Sequence, residues 1–140
     1  MSFRVAVVDD DEATRVLLGE LLVDEGFDVA IWDGLADPLS FVRSARPAVV
    51  IVDLHIGPGV RDGSAPLHEQ LANDSRIDGG IILCSADVMY LRDHAAELEA
   101  NDFAVVEKPF NLDDLVDAVR QVVSSAVSSG CNNVSQSALS

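Results

Sequence analysis

Short runs of apolar residues that end in polar ones recur along the chain and predict a set of buried strands. Residues 5–8 are Val-Ala-Val-Val and lead directly into three aspartates. Residues 48–52 lead in the same way into Asp53, and residues 81–84 lead into Ser85. Uninterrupted apolar runs suit strands that are covered on both faces, as in parallel sheets flanked by helices. We therefore expect a parallel sheet in which polar groups follow several strand ends.

Segments with helical spacing of apolar residues alternate with these runs. In the first segment, such positions recur from residue 14 to residue 22, and Gly26 follows as a C-terminal stop. The second segment begins with Asp37 as N-cap before a proline. It ends near Arg46, because the residue before Pro47 disfavours helical backbone. A short third helix is predicted around residues 67–71, a fourth over 88–98 and a fifth over 112–123.

Two further apolar segments, 27–32 and 103–107, complete a set of strands that alternates with the helices. This alternation implies right-handed parallel crossovers and an α/β three-layer sandwich, with all strand ends at one edge. From Ser124 onward the chain has seven serines in seventeen residues and few large apolar groups, which is typical of a flexible tail or linker. We expect one domain over residues 1–124 and a tail over 125–140.

Composition and charge narrow the classes of function. The 140 residues are 49% hydrophobic, which suffices for one sizeable core, and carry a formal net charge of -15. That charge repels phosphate backbones, so we expect no direct DNA binding, whereas divalent cations and basic partners are favoured. Neither a signal peptide nor an apolar run of roughly 20 residues occurs, which predicts a cytoplasmic protein without a membrane span. Cys84 in a strand and Cys131 in the tail are expected to be free thiols.

Chemically useful side chains are predicted to meet where the strands end, which is where open α/β sheets bind ligands. They are Asp9 and Asp10 after strand one, Asp53 after strand three, Ser85 after strand four and Lys108 after strand five. Carboxylates 4 Å apart repel by about 4 kcal/mol per pair at an effective dielectric constant near 20, so cations are required. Lys108 supplies one, and Mg²⁺ suits the rest because it takes one or two carboxylates together with waters and phosphate oxygens.

A carboxylate in such a site can attack a phosphoryl group, because the metal ion and the lysine absorb charge on the transferring oxygens. Asp53 is the preferred nucleophile, since it stands alone on strand three opposite the paired acids. The Ser85 hydroxyl is placed to bond a phosphoryl oxygen. An acyl phosphate formed in this way is reactive and loses its phosphate to water, which suits a timed signal.

Four segments together carry a family resemblance: residues 7–11 (VVDDD), 50–54 (VIVDL), 83–86 (LCSA) and 107–110 (EKPF). In this order and spacing they resemble the receiver domain of two-component response regulators, the CheY-like superfamily, over about residues 3–124. The resemblance implies a flavodoxin-like (βα)5 fold with a parallel sheet of strand order 2-1-3-4-5. It also implies a signalling domain that catalyses only its own phosphorylation and dephosphorylation.

The same resemblance implies a role for each strand-end residue. Asp53 would accept a phosphoryl group from a sensor histidine kinase or a histidine phosphotransfer protein. Mg²⁺ would be held by Asp9, Asp10, Asp53 and the backbone carbonyl of His55. Ser85 would be the switch hydroxyl, and Lys108 would pair with the phosphoryl group. Because Ser85 and Lys108 connect the site to helix four, strand five and helix five, we expect a downstream protein to bind there.

The chain departs from the family's pattern in two places. The loop between Asp53 and Gly63 is longer than usual, and Pro58 is displaced within it. Val105 stands where the family has a switch aromatic three residues before the lysine, and Phe103 lies two residues earlier on the same side of the strand. A cis bond between residues 108 and 109 is expected from the family and is allowed before proline.

Several alternatives stay open at this point. A haloacid-dehalogenase-like phosphatase also uses a strand-end aspartate, Mg²⁺, a hydroxyl and a lysine, and residues 9–11 satisfy its opening motif. Ala13 and the lack of a strand-borne acid pair after Lys108 count against it. A receiver-like module that is never phosphorylated is a further alternative. Taken alone, the acids at 9–12 are equally explained as the start of a helix, whose N-terminus favours negative charge.

Histidines outside the strand ends are assigned lesser roles. His68 and His94 are expected on exposed helix surfaces, in contact with solvent. The side chains of His55 and Asp87 occupy the two positions that, by analogy with the family, tune the rate of dephosphorylation. Met89 and Tyr90 begin helix four and are interpreted as packing or partner surface.

Overall fold

The computed structural model describes residues 3–53, 67–74, 77, 79–100, 103–108 and 111–124. The strands are β1 (Arg4–Val8), β2 (Asp28–Ile31), β3 (Val49–Asp53), β4 (Gly80–Ser85) and β5 (Ala104–Glu107). The helices are α1 (Glu12–Asp24), α2 (Pro38–Ala45), α3 (Leu67–Ala72), α4 (Val88–Asp93), α5 (Ala95–Ala100) and α6 (112–124). Strands and helices therefore alternate along these segments, as the apolar pattern predicts, except that two helices, α4 and α5, lie between β4 and β5.

All strand pairs are parallel, and the sheet order is β2-β1-β3-β4-β5. The register places Val8 beside Val52, and Asp53 beside Cys84. Because every strand runs in the same direction, the carboxyl ends of β1, β3, β4 and β5 lie along one edge. The prediction of a flavodoxin-like sheet of order 2-1-3-4-5 is confirmed.

The apolar runs are uninterrupted because each strand packs on both faces. Residues 5–8 of β1 are each 0% exposed, and successive side chains belong to opposite cores. Ala6 and Val8 join one core with residues of α2, α3, α4 and α5. Val5 and Val7 join the other with residues of α1 and α6. The molecule therefore has three layers, with the sheet between two helical layers.

Local signals set most of the helix ends. Gly26 follows α1 with a φ of 94°, the left-handed backbone that glycine adopts without strain. Asp37 caps α2 by accepting a hydrogen bond from the backbone N–H of Ser40, and Arg46 ends this helix in left-handed conformation. Asn111 precedes α6, and its Oδ1 accepts the backbone N–H of Asp113 at 2.8 Å.

The fourth helix differs from the prediction, because residues 88–98 do not form one continuous helix. α4 ends at Asp93 and α5 begins at Ala95, with His94 between them at φ -111°. The His94 ring stacks on Tyr90 at 3.9 Å between centroids, and its Nδ1 lies 2.9 Å from the Tyr90 carbonyl oxygen. This side-chain contact with a carbonyl of the preceding turn accompanies the break.

The expectation that His68 faces solvent is wrong. His68 is 1% exposed and packs edge-on against the rings of Phe103 and Tyr90, at centroid distances of 5.2 and 6.2 Å. Burial lowers the pKa of its imidazole to about 4, and His94 adds a weaker effect in the same direction. His94 itself is half-buried. The expectation followed the polar nature of histidine, whereas positions 67, 68 and 71 share the buried face of α3.

Other expectations concern the cysteines and membrane spans. Cys84 is a free, buried thiol, and its burial raises the pKa to about 12. Cys131 lies outside the described residues. Within the described segments, none of the helices combines the length and the apolar character that crossing a membrane requires.

Candidate functional site

Three carboxylates meet at the edge of the sheet where β1 and β3 end. Asp9, Asp10 and Asp53 each offer an oxygen, and the three oxygens lie within 4.8 Å of one another. Asp9 is buried at 3% exposure, Asp53 is half-buried and Asp10 is exposed. The cluster is therefore anchored on its inner side and open to solvent at Asp10.

Lys108 supplies a cation to this cluster from the end of β5. Its Nζ donates to Oδ2 of Asp9 at 2.8 Å and to Oδ2 of Asp53 at 3.0 Å. Burial acts to lower the pKa of Lys108, but the hydrogen bonds to the two aspartates outweigh it and raise the pKa. The ammonium therefore stays charged between the two carboxylates. Lys108 is also the one lysine in the whole sequence.

The buried carboxyl of Asp9 experiences opposing effects. Burial raises its pKa, while the hydrogen bonds from Lys108 and from the backbone N–H of Asp11 act to lower it, and the net shift is upward. Removing charge from water is costly unless a counter-ion is close. A cation bound near Asp9 would therefore favour the ionised form of this carboxyl.

Ser85 ends β4 next to the cluster and is 1% exposed. Its Oγ accepts a hydrogen bond from the backbone N–H of Asp87 at 2.9 Å, and its carbonyl accepts the backbone N–H of Lys108 at 2.8 Å. Asp87 is the N-cap of α4, where its side chain accepts the backbone N–H of Tyr90. Ser85 is thus bonded both to the start of α4 and to the residue that carries the ammonium.

Arg15 is a supporting residue that the sequence reasoning missed. It is 9% exposed, and its Nη1 donates to the backbone carbonyl of Asp9 at 2.7 Å. Its guanidinium carbon lies 5.9 Å from the ring centroid of Trp32, a buried residue whose Nε1 donates to the carbonyl of Ala36. The spacing of positions 15, 18 and 22 places Arg15 on the buried face of α1, and this was the available signal.

Asp11 lies at the start of α1, as predicted from the interpretation of the acidic residues as a helix start. It is the N-cap residue of α1, its Oδ2 accepts the hydroxyl of Thr14 at 2.6 Å, and this bond lowers its pKa. Its backbone N–H donates to Oδ1 of Asp9 at 2.9 Å. Asp11 therefore orients Asp9 through its backbone.

Some of the predicted positions lie outside the described residues, and others lie away from the carboxylate cluster. His55, Pro58, Pro109 and the loop over 54–66 lie outside the described residues, so the carbonyl ligand and the cis bond stay predictions. Val105 is 40% exposed on β5, whereas Phe103 is half-buried against the core that contains Val8. The ring of Phe103 contacts that of His68, with 5.2 Å between the ring centroids.

Comparison with known proteins adds to this geometry. The sequence model of the response regulator receiver domain matches residues 5–120. This chain belongs to the response regulator receiver domain family. The match does not favour either alternative, a haloacid-dehalogenase-like phosphatase or a receiver-like module that is never phosphorylated.

Two relatives are longer proteins that contain a segment similar to this chain. The chain is 32% identical over 120 residues to the DNA-binding response regulator MtrA of Mycobacterium tuberculosis, covering 86% of this chain and 50% of MtrA. It is 36% identical over 121 residues to the regulatory protein VirG of Agrobacterium tumefaciens, covering 83% of this chain and 42% of VirG. The chain thus spans about half the length of these relatives.

Solved structures agree on the fold of the receiver domain. The signal receiver domain of a putative LuxO repressor protein from Vibrio parahaemolyticus has a TM-score of 0.76 at 21% identity, covering 95% of this chain and 98% of that one. The chemotaxis protein CheY4 of Vibrio cholerae has a TM-score of 0.69 at 20% identity, covering 87% of this chain and 99% of that one. At these identities the likeness concerns the fold alone.

Proposed function

We propose that Asp53 of this receiver domain accepts a phosphoryl group from a sensor histidine kinase or a histidine phosphotransfer protein, in a reaction that requires Mg²⁺. The supporting observation is that Asp53 shares one ammonium, that of Lys108, with Asp9 and lies in a cluster of three carboxylates. Beyond its own phosphorylation and dephosphorylation, the domain catalyses no reaction. A cytoplasmic location fits such a phosphoryl donor.

The donor set suits Mg²⁺, because hard divalent cations prefer oxygen ligands and because one lysine does not balance three converging carboxylates. Asp9, Asp10 and Asp53 would hold the ion together with the backbone carbonyl of His55. When bound, the ion neutralises charge on the transferring oxygens. Arg15 and Asp11 keep Asp9 in place through the two hydrogen bonds described above.

The transfer uses one carboxylate oxygen of Asp53 as the nucleophile. The bond from phosphorus to the donor's imidazole nitrogen breaks, a bond from phosphorus to the Asp53 oxygen forms, and the donor leaves as a neutral imidazole after taking up a proton. Lys108 stabilises the negative charge that the phosphoryl oxygens carry. Hydrolysis of the acyl phosphate ends the signal, with the side chains at His55 and Asp87 as the residues that tune its rate.

Switching would follow from the bonds of Ser85. Ser85 is hydrogen-bonded to Asp87, the N-cap of α4, and to the backbone N–H of Lys108 after β5. A phosphoryl oxygen that accepts a hydrogen bond from the Ser85 hydroxyl would therefore act on both elements. The phosphorylated form would therefore favour a different position of α4 and β5, as a shift between two populations. The downstream protein would bind at α4, α5, β5 and α6, which correspond to the predicted helix four, strand five and helix five.

The relatives bear on the prediction of no direct DNA binding. MtrA is named a DNA-binding response regulator, and it is about twice as long as the matched segment. We therefore restrict the prediction to residues 1–124, whose acidity disfavours contact with phosphate backbones.

The test is incubation with acetyl phosphate and Mg²⁺, followed by intact-mass measurement. The wild-type chain should gain one phosphoryl group, Asp53→Asn should gain none, and the matched control Asp11→Asn should behave as the wild type. Peptide mapping should place the group on Asp53. Label on Asp9, rapid turnover of a phosphomonoester, or no modification of the wild type would contradict the proposal.

A further inference from the structure

Two grooves flank β5, which is one of the two edge strands of the sheet. The first, here called the apolar groove, has a volume of about 370 Å³ and lies between β5 and the helices α4 and α5. Its apolar lining consists of Val88, Leu91, Ala95, Leu98, Phe103 and Val105. This volume falls within the range of roughly 300–1,000 Å³ that is typical of ligand-binding clefts.

The second groove, here called the acidic groove, lies between β5 and α6 and has a volume of about 480 Å³. Glu107, Asp114 and Asp117 line it, and none of the described residues that line it is basic. Val105 and Glu107 line both grooves. The two grooves are therefore adjacent across the exposed side of β5, so that the apolar groove borders the acidic groove.

The two grooves differ in the charges of the residues that line them. Arg92 and Glu99 complete the lining of the apolar groove, so basic and acidic groups both occur there. The acidic groove has three carboxylates. Burial of a ligand's bulky apolar side chain in the apolar groove, on the α4 and α5 side, would lower the free energy of binding. A cationic group of the same ligand would be attracted to the acidic groove, on the α6 side.

We propose that the two grooves together bind a basic segment of a partner protein. One bulky apolar side chain of that segment occupies the apolar groove, and a lysine or arginine lies over Glu107, Asp114 and Asp117. This inference deepens the proposed output function and rests on it, because it names the chemistry of the downstream partner.

Charge argues against two other occupants of the grooves. Residues 125–140 of this chain contain no lysine or arginine, so the tail lacks the group that the acidic groove attracts. A second copy of the chain carries the same formal net charge of -15 and is repelled. A separate, basic partner is therefore the occupant that fits best.

The test begins with a random dodecapeptide phage library, panned against the full-length chain with and without acetyl phosphate and Mg²⁺. Enriched peptides should combine a bulky apolar residue with lysine or arginine, and their binding should shift the amide resonances of β5, α5 and α6. Binding constants then come from fluorescence anisotropy of the synthesised peptides. Acidic or wholly apolar enriched peptides, resonance shifts confined to other elements, or no enrichment would overturn the proposal.

Two pairs of variants locate the binding. Ala95→Trp fills the apolar groove, whereas Ala96→Trp changes the next exposed residue of α5, which does not line it. Asp117→Lys reverses a charge in the acidic groove, whereas Glu20→Lys makes the same change of charge on the exposed surface of α1. Ala95→Trp and Asp117→Lys should each weaken binding by about tenfold, and both controls should leave it nearly unchanged. Asp117→Lys keeps the test valid should Ala95→Trp fail to fold.

The remaining outcomes separate this inference from the proposed function. A chain that is phosphorylated on Asp53 but binds its peptides equally well after Asp117→Lys overturns the partner assignment and leaves the phosphoacceptor role intact. Peptides that bind at β5 and discriminate the variants, in a chain that acetyl phosphate does not modify, support the surface and contradict the phosphoacceptor role. Sedimentation that shows self-association blocked by Ala95→Trp would assign the surface to a second copy instead.

Discussion

Nζ of Lys108 lies 3.0 Å from Oδ2 of Asp53, although 55 positions of sequence separate the two residues. Asp53 ends β3 and Lys108 follows β5, so the contact passes over the end of β4, where Ser85 lies. The same ammonium is 2.8 Å from Asp9 after β1. One lysine therefore joins the ends of three strands, and its position couples the phosphoacceptor candidate to β5.

Replacing this lysine should slow phosphoryl transfer. Lys108→Met removes a cation that is hydrogen-bonded to both Asp9 and Asp53, and we expect phosphorylation by acetyl phosphate to slow by about 100-fold. The rate is measured by intact mass at fixed Mg²⁺ concentration. The control is Arg120→Met, which removes an exposed cation paired with Glu25 on the surface. Equal rates in the wild type and Lys108→Met would show that the ammonium plays no part in the transfer.

Asp10 should control metal affinity with little effect on folding, because it is the exposed member of the carboxylate cluster. Mg²⁺ that binds only the folded chain should raise the Tm of the wild type. In Asp10→Asn we expect the Mg²⁺ affinity to fall by about tenfold and the Tm increase to shrink accordingly. Glu12→Gln, an exposed acid in the first turn of α1, serves as control. A Mg²⁺ titration that gives the same affinity for Asp10→Asn and wild type would remove Asp10 from the metal site.

Arg15 should stabilise both the fold and the metal site. Arg15→Met leaves the Asp9 carbonyl without the donor at 2.7 Å, and we expect the free energy of unfolding to fall by about 1–3 kcal/mol. Mg²⁺ affinity should fall several-fold at the same time, since the turn that carries Asp9 loses support. Urea unfolding and calorimetric titration measure the two effects. Arg120→Met should change neither, and a loss of stability without any loss of affinity would mean that Arg15 does not position Asp9.

His68 should make stability depend on pH in a defined range. Its pKa is about 4 in the folded protein against 6.5 for an unperturbed histidine, so the unfolded chain binds a proton first as pH falls. The free energy of unfolding should therefore decrease from about pH 6.5 to about pH 4, by up to about 3 kcal/mol, and the contribution is fully present above that range.

His68→Leu should remove this component of the pH dependence, and His94→Gln should retain it. The measurement is urea unfolding at pH 7 and pH 5, in which the carboxylates affect all three proteins alike. Parallel pH profiles for the wild type and His68→Leu would show that His68 is not held neutral by its burial.

The sequence by itself determined the layers, the family and the set of strand-end residues. Continuous apolar runs such as residues 5–8 follow directly from burial on both faces, because each residue of such a strand must be apolar whichever way it points. The helix ends at Gly26 and Asp37 could also be predicted from the sequence. A glycine in left-handed conformation and a side-chain N-cap act only on residues close to them in sequence.

Only the tertiary structure decided which polar groups became buried partners. The surroundings of His68 and of Arg15 depend on side chains from elements distant in sequence, such as Phe103 against His68 and Trp32 near Arg15. The two grooves beside β5 arise in the same way, from the spacing of packed helices. Periodicity reports which face of one element avoids water, but it contains no information on what another element places against that face.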